Sequence, residues 1–154
     1  ASGYANVPKM LESGINVALG TDGAASNNNL NIMQDMYLFG VVYKGYFRDP
    51  TIITPAEVLH AATRAGALSQ GRADSGLLAV GMRADLCVLN TDTPQFTPMT
   101  SAACNVVYAA QGADIRMTMV DGEVLYRDGE FKTIDIEKVK AEVQRRTDSI
   151  LSRL

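Results

Sequence analysis

The sequence holds a single histidine, His60, and no tryptophan. One imidazole excludes a self-sufficient histidine-rich zinc or iron centre, which takes about three or four protein ligands. It also leaves Ser26 without a base partner, so a serine nucleophile is not expected. His60 itself lies in "AEVLHAATRA", which reads as a helix, and is expected at a helix surface or core edge rather than as a ligand. Cysteine is scarce: Cys87 and Cys104 are far apart, form no CxxC, and are expected as buried thiols of a cytoplasmic protein. No apolar run reaches the roughly 18 residues of a membrane span, and no signal peptide is recognisable. An excess of basic charge is missing too. The net charge of −3 argues against a nucleic-acid partner. Repeats and low-complexity tracts are absent from the sequence. So is an initiator Met: the chain opens "ASGYANVPKM", like a loop entering a helix, and is expected to be a piece of something longer.

What remains is an ordinary globular composition, 47% hydrophobic over 154 residues, enough for a core. Val7 to Ser13 predicts a short helix with Pro8 in its first turn and Gly14 after its last. The nearly continuous apolar run of Ile15, Val17, Ala18 and Leu19 predicts a parallel strand covered on both faces. Ile32, Met36, Phe39 and Tyr43 recur at helical spacing, predicting a helix from about Leu30 to Tyr46. Thr54, Pro55 and Glu57 make a capping-box pattern, and that helix is expected to run to about Ser69. After residue 72 the style changes to short β-rich segments. Asp121-Gly122 between two alternating runs is a strong hairpin signal, and a short helix is expected in "TSAACNVVYAA". Asp135 is placed to cap a last helix whose apolar stripe is Ile136, Val139, Val143, Ile150 and Leu154.

The stretch "VALGTDG" (residues 17–23) carries the chemistry. A carboxylate at the C-terminal end of a parallel strand points into the crevice where α/β folds bind ligands. Gly20 and Gly23 let the chain turn and leave Asp22 accessible. An Asp oxygen can bind a divalent cation or take a proton from water. The plainer alternative, Asp22 as a helix cap or turn residue, stands at even weight on spacing alone. Ser26, Asn27 and Asn28 read as helix-capping residues. The methionines Met33, Met36, Met117 and Met119 read as core filler. Gly112 and Asp114 read as a turn, Arg83 to Asp85 as a surface turn, and Arg145 and Arg146 as solvated charges.

"VPKMLESGINVALGTDGAASNNNLNIMQDM", with "ITPAEVLHAATRAGA", "GLLAVGMRADLCVLN" and "VDGEVLYRDGEF" downstream, resembles the C-terminal part of the amidohydrolase superfamily. The subgroup it resembles holds chlorohydrolases, S-adenosylhomocysteine and methylthioadenosine deaminases, and guanine deaminases. The resemblance implies an α/β fold: the C-terminal portion of a (β/α)8 metal-dependent hydrolase barrel, the C-terminal strands of a small β-sandwich, and a terminal helix. The parts implied are 1–72 (end of the barrel), 73–132 (share of the composite sandwich) and 133–154 (C-terminal helix). Asp22 matches the family's metal-binding Asp at the end of the eighth barrel strand. It would touch the metal-bound hydroxide and pass its proton to the leaving amine. Ser2 and Gly3 match the end of a substrate-lining loop.

The implied cofactor is one divalent metal, zinc or alternatively iron, with most ligands missing from this chain: the family's HxH pair, its other histidines and its catalytic Glu are not here. The implied activity is hydrolytic deamination of an adenosine derivative, a small-molecule substrate, with the fragment alone inactive. Rival readings are a triazine chlorohydrolase, a guanine deaminase, or a non-catalytic α/β interaction module. The implied partners are the missing N-terminal part of the same protein or a self-associated copy, in a homo-oligomer, with no nucleic acid and no membrane.

Overall fold

The computed structural model describes residues 3–154. It is a partial α/β structure: a helical first half packed around one apolar core, a four-stranded antiparallel sheet, and a terminal helix. Helix α1 (Val7–Glu12) starts at Asn6, whose side-chain oxygen accepts from the Lys9 N–H at 3.3 Å. Gly14 leaves it at φ +73°.

Residues 15–20 are extended but are not part of a sheet, which corrects the expectation of a strand covered on both faces. They alternate instead. Val17 and Leu19 pack against the core, while Ile15, Ala18 and Gly20 are exposed. The reason is that no other strand lies beside this segment among the described residues. Its neighbours are helices, which it meets through three bonds: the Ile15 N–H donates to the Met10 carbonyl of α1 at 3.0 Å, and two more follow. The Leu19 N–H donates to the Ala61 carbonyl at 2.9 Å, and Asn16 Nδ2 donates to the Ala65 carbonyl at 3.0 Å.

Helix α2 (Ile32–Phe47) buries Met33, Met36, Gly40 and Tyr43 and ends at Arg48 in the left-handed region. Gly40 permits a close crossing with helix α5 (Ala102–Tyr108): a Cβ there would sit 3.0 Å from Tyr108 Cε1 and 3.3 Å from Val107 Cγ1. Helix α3 (Pro55–Ala62) begins with the expected capping box. Glu57 Oε2 accepts from the Thr54 N–H at 2.6 Å while Thr54 Oγ1 accepts from the Glu57 N–H at 3.4 Å. The single helix expected to Ser69 is broken at Thr63 and resumes as α4 (Arg64–Ser69). At the break the Ala61 carbonyl receives Leu19, and Thr63 Oγ1 donates to the Leu59 carbonyl at 2.6 Å. Extended chain and hydroxyl thus take up carbonyls that a continuous helix would use internally. Val58, Ala65 and Val107 are fully enclosed, joined by Phe96 and Ile53.

The sheet runs in the order β1 (Leu86–Leu89), β2 (Ile115–Val120), β3 (Glu123–Arg127), β4 (Glu130–Phe131), each antiparallel to the next. Asp121 and Gly122, at φ +51° and +81°, form the expected two-residue turn between β2 and β3. Asp128 and Gly129 repeat it between β3 and β4, at +48° and +94°. The segment before β1 is pinned to the first turn. Asp85 Oδ1 accepts from the Asp121 N–H at 2.7 Å, and Arg83 pairs with the Asp121 carboxylate at 2.7 Å.

Two readings are corrected in detail. Cys87 and Cys104 are both exposed, because β1 and α5 turn those side chains away from the one core that is present. Arg145 and Arg146 are not merely solvated. Both hold Glu142 on helix α6 (Ile136–Leu151), at 2.7 Å each. No described helix is long and apolar enough to cross a membrane.

Candidate active site

The loop after residue 20 is built from backbone turns and asparagines. Asp22 takes φ +62°, a left-handed conformation that Asp tolerates better than most residues. Its Oδ1 accepts from the Gly23 N–H at 2.7 Å. The residue is exposed, and among the described residues Oδ2 has no hydrogen-bond partner and no cation pairs with the carboxylate. One oxygen is thus oriented by backbone while the other is open to whatever approaches the tip.

Asn27 closes the loop. Its Nδ2 donates to the Thr21 carbonyl at 2.7 Å, and its backbone N–H donates to the Gly23 carbonyl at 2.9 Å. A series of Asx turns then leads into α2. Asn27 Oδ1 accepts from the Asn29 N–H at 3.0 Å, and Asn29 Oδ1 from the Asn31 N–H at 3.1 Å. Asn31 Oδ1 accepts from the Met33 N–H at 3.2 Å. The helix cap is therefore Asn31, not Ser26, Asn27 or Asn28. The signal was an asparagine at every second position, each able to close a turn on the residue two ahead.

The other sequence candidates fall elsewhere. Ser2 lies outside the described residues. Gly3 is exposed at φ +80°, and no hydrogen bond ties it to the Asp22 loop. His60 is an exposed residue in the last turn of α3. It edges an apolar cleft of about 280 Å³ lined by Leu11, Ile15, Val17 and Phe39. Asp114, read as a turn, is 8% exposed. It accepts from Gln95 Nε2 at 3.0 Å and the Gln111 N–H at 2.8 Å, so it is a structural clamp beneath β2. Among the described residues no group of three or more His, Cys, Asp or Glu could hold a metal ion.

Known proteins decide what kind of chain this is. The model of the amidohydrolase family matches residues 1–125. The chain belongs to the amidohydrolase family. It is 43% identical over 151 residues to a 5-methylthioadenosine/S-adenosylhomocysteine deaminase of Acetivibrio thermocellus, covering 97% of this chain and 35% of that protein. It is 40% identical over 154 residues to a 5'-deoxyadenosine deaminase of Methanosarcina mazei, covering 100% of this chain and 35% of that one. Among solved structures, a zinc-bound adenosine deaminase from Xanthomonas campestris superposes with a TM-score of 0.94 at 27% identity, over 98% of this chain and 35% of its own. A zinc complex of atrazine chlorohydrolase from Arthrobacter aurescens gives 0.84, also at 27% identity, over 93% and 32%. The chain thus spans about a third of the length of the relatives it matches. The Asp22 loop, β1, β2 and the first part of β3 fall inside the family match, whereas α6 lies beyond it.

Proposed function

We propose that this chain is the C-terminal third of a metal-dependent deaminase of adenosine-type nucleosides, a cytoplasmic enzyme acting on a small molecule and releasing ammonia. In this reading residues 1–72 complete a (β/α)8 barrel, with 15–20 as its last strand. Residues 73–132 are one share of a β-sandwich whose other strands come from upstream, and 133–154 form the terminal helix. The observation that carries the reading is the delivery of Asp22. An extended segment seated on helices through Val17 and Leu19 presents a carboxylate with one oriented and one open oxygen, and the relatives with this stretch are named as deaminases.

The residues of this chain do not by themselves fit a metal centre. Asp22 offers one carboxylate, and the described residues supply no cluster around it. Zinc, which is bound in the adenosine deaminase and chlorohydrolase structures, would be held here only with ligands from upstream. What this chain's residues can do is move a proton. Deamination adds water to the carbon bearing the amino group and breaks the C–N bond. Asp22 Oδ2 is the free acceptor for the water's proton and the donor that returns it to the departing amine. The Gly23 N–H on Oδ1 keeps the carboxylate turned outward while this happens. Gly3 would border the substrate.

The test uses the intact gene product. Ammonia release from 5-methylthioadenosine, S-adenosylhomocysteine and 5'-deoxyadenosine is expected, and Asp22→Asn is expected to lower turnover by roughly 10²–10⁴-fold with the fold retained. Unchanged turnover in that variant removes Asp22 from the chemistry. The similarity to atrazine chlorohydrolase favours a second reading, in which the group displaced is chloride. Chloride release from a chlorotriazine without ammonia release from the nucleosides would select it.

A further inference from the structure

Helix α6 carries an apolar stripe that nothing described covers. At 3.6 residues per turn, Ile136, Val139, Val143, Thr147 and Ile150 fall within roughly an 80° arc, and Leu154 follows the end of the helix. Val139, Val143 and Ile150 are 45%, 59% and 60% exposed, and no residue of the helix is buried. Charged residues flank the stripe and pair with one another, with Glu142 between Arg145 and Arg146 and Lys140 on Glu137. No other element packs closely against α6 among the described residues. A 16-residue helix with so little tertiary packing is marginal in water. Yet the zinc-bound adenosine deaminase superposes over 98% of this chain at a TM-score of 0.94, so α6 is held in this place in a polypeptide about three times as long. The chain described here is 35% of that polypeptide. The remainder is where the missing contact surface can lie.

We infer that the stripe of α6 docks against polypeptide upstream of residue 1 in the same molecule, fixing the terminal helix onto the part of the enzyme that this chain lacks. The inference rests on the reading of the chain as the C-terminal part of a longer enzyme. The occupant must be apolar, because a polar surface would leave the aliphatic side chains of the stripe no better off than water does. Lys138 and Arg145, roughly opposite the stripe, remain in solvent.

Hydrogen exchange of the α6 amides, with the mass of each sample from sedimentation, tests this. In a peptide of residues 133–154, α6 is expected to exchange like an unprotected helix. In the intact gene product it is expected to be protected at least about tenfold more, at every concentration. Val143→Asp in the intact protein should abolish that protection without changing the oligomeric mass. Lys138→Asp, on the charged side, should leave it in place, and the β2 and β3 amides report whether each variant is folded. Exchange of α6 in the intact protein no slower than in the peptide overturns the inference, as does protection that disappears on dilution, which marks a second copy as the occupant. A gene product with nothing upstream of residue 1 overturns it as well. Ammonia release is scored separately: an inactive protein with a protected α6 sinks only the deaminase reading, and an active one with an unprotected α6 sinks only this inference.

Discussion

Asn27 holds the Asp22 loop through three bonds: to the Thr21 carbonyl, to the Gly23 carbonyl, and from the Asn29 N–H. Asn27→Asp removes the only side-chain donor in that set and turns an oxygen toward a carbonyl. In the intact protein this is expected to lower kcat while costing about 1 kcal/mol of stability, read by steady-state kinetics beside urea denaturation. Full kcat would mean the loop keeps Asp22 in place without it. Gly76 is a different case. It sits at φ +84°, and a Cβ there would lie 2.8 Å from Arg64 Cα and 2.9 Å from the Thr63 carbonyl oxygen. Backbone cannot give way as a side-chain tip can. Gly76→Ala is expected to cost about 2–4 kcal/mol, seen as a lower urea midpoint. Asp22 was legible as a carboxylate after an apolar run, and Gly76 only as a separator. The difference is that Gly76 owes its importance to helix α4, which folds back on it from a sequence position too far away for local pattern to reveal.

The helices with local signals were readable. Thr54 with Pro55 and Glu57 announced α3, and Asp135 announced α6, whose cap is present at 3.0 Å from the Lys138 N–H. Thr54→Ala should cost about 1 kcal/mol in denaturation of the intact protein, and a null effect would mean the capping box is not formed. The break at Thr63 was not readable, because it follows from Leu19 reaching Ala61 across the fold. The Asp121-Gly122 hairpin was legible from its turn residues, but its anchoring was not. Asp85 accepts from the Asp121 N–H and from the Ser75 hydroxyl, and these bonds, the backbone one first, hold its carboxyl below the usual carboxylate range. A carboxyl with a lowered folded pKa favours the folded state above its unfolded pKa. That contribution is lost as pH falls through the folded value. The urea midpoint is therefore expected to fall as pH drops below about 4, and Asp85→Asn should flatten part of that fall. An identical pH profile in the variant would remove Asp85 from the account.

As a whole, the chain presents apolar surface that its own residues do not cover. Leu78 is 76% exposed, Leu30 57% and Val80 fully so. β1 and β4 are both open sheet edges. The 154-residue chain alone is expected to self-associate or precipitate at micromolar concentration, and a sharp monomer boundary in sedimentation would contradict this. The α/β class was legible because helical and alternating periods follow one another along the sequence. The strand character of residues 15–20 was legible as an apolar run but is not realised as a ladder, since pairing needs a neighbour that the run itself cannot supply.

The hook between the Leu19 N–H and the Ala61 carbonyl has a practical use. It joins the segment that ends in Asp22 to the residue directly after His60. With one imidazole in the sequence, proton magnetic resonance offers a ring signal free of overlap from any other histidine in this chain. Titrating a nucleoside into the intact enzyme, selectively labelled at this ring, should displace that line although the ring touches no ligand. A line that stays put at saturation would mean the tip rearranges without tugging on its helical anchor.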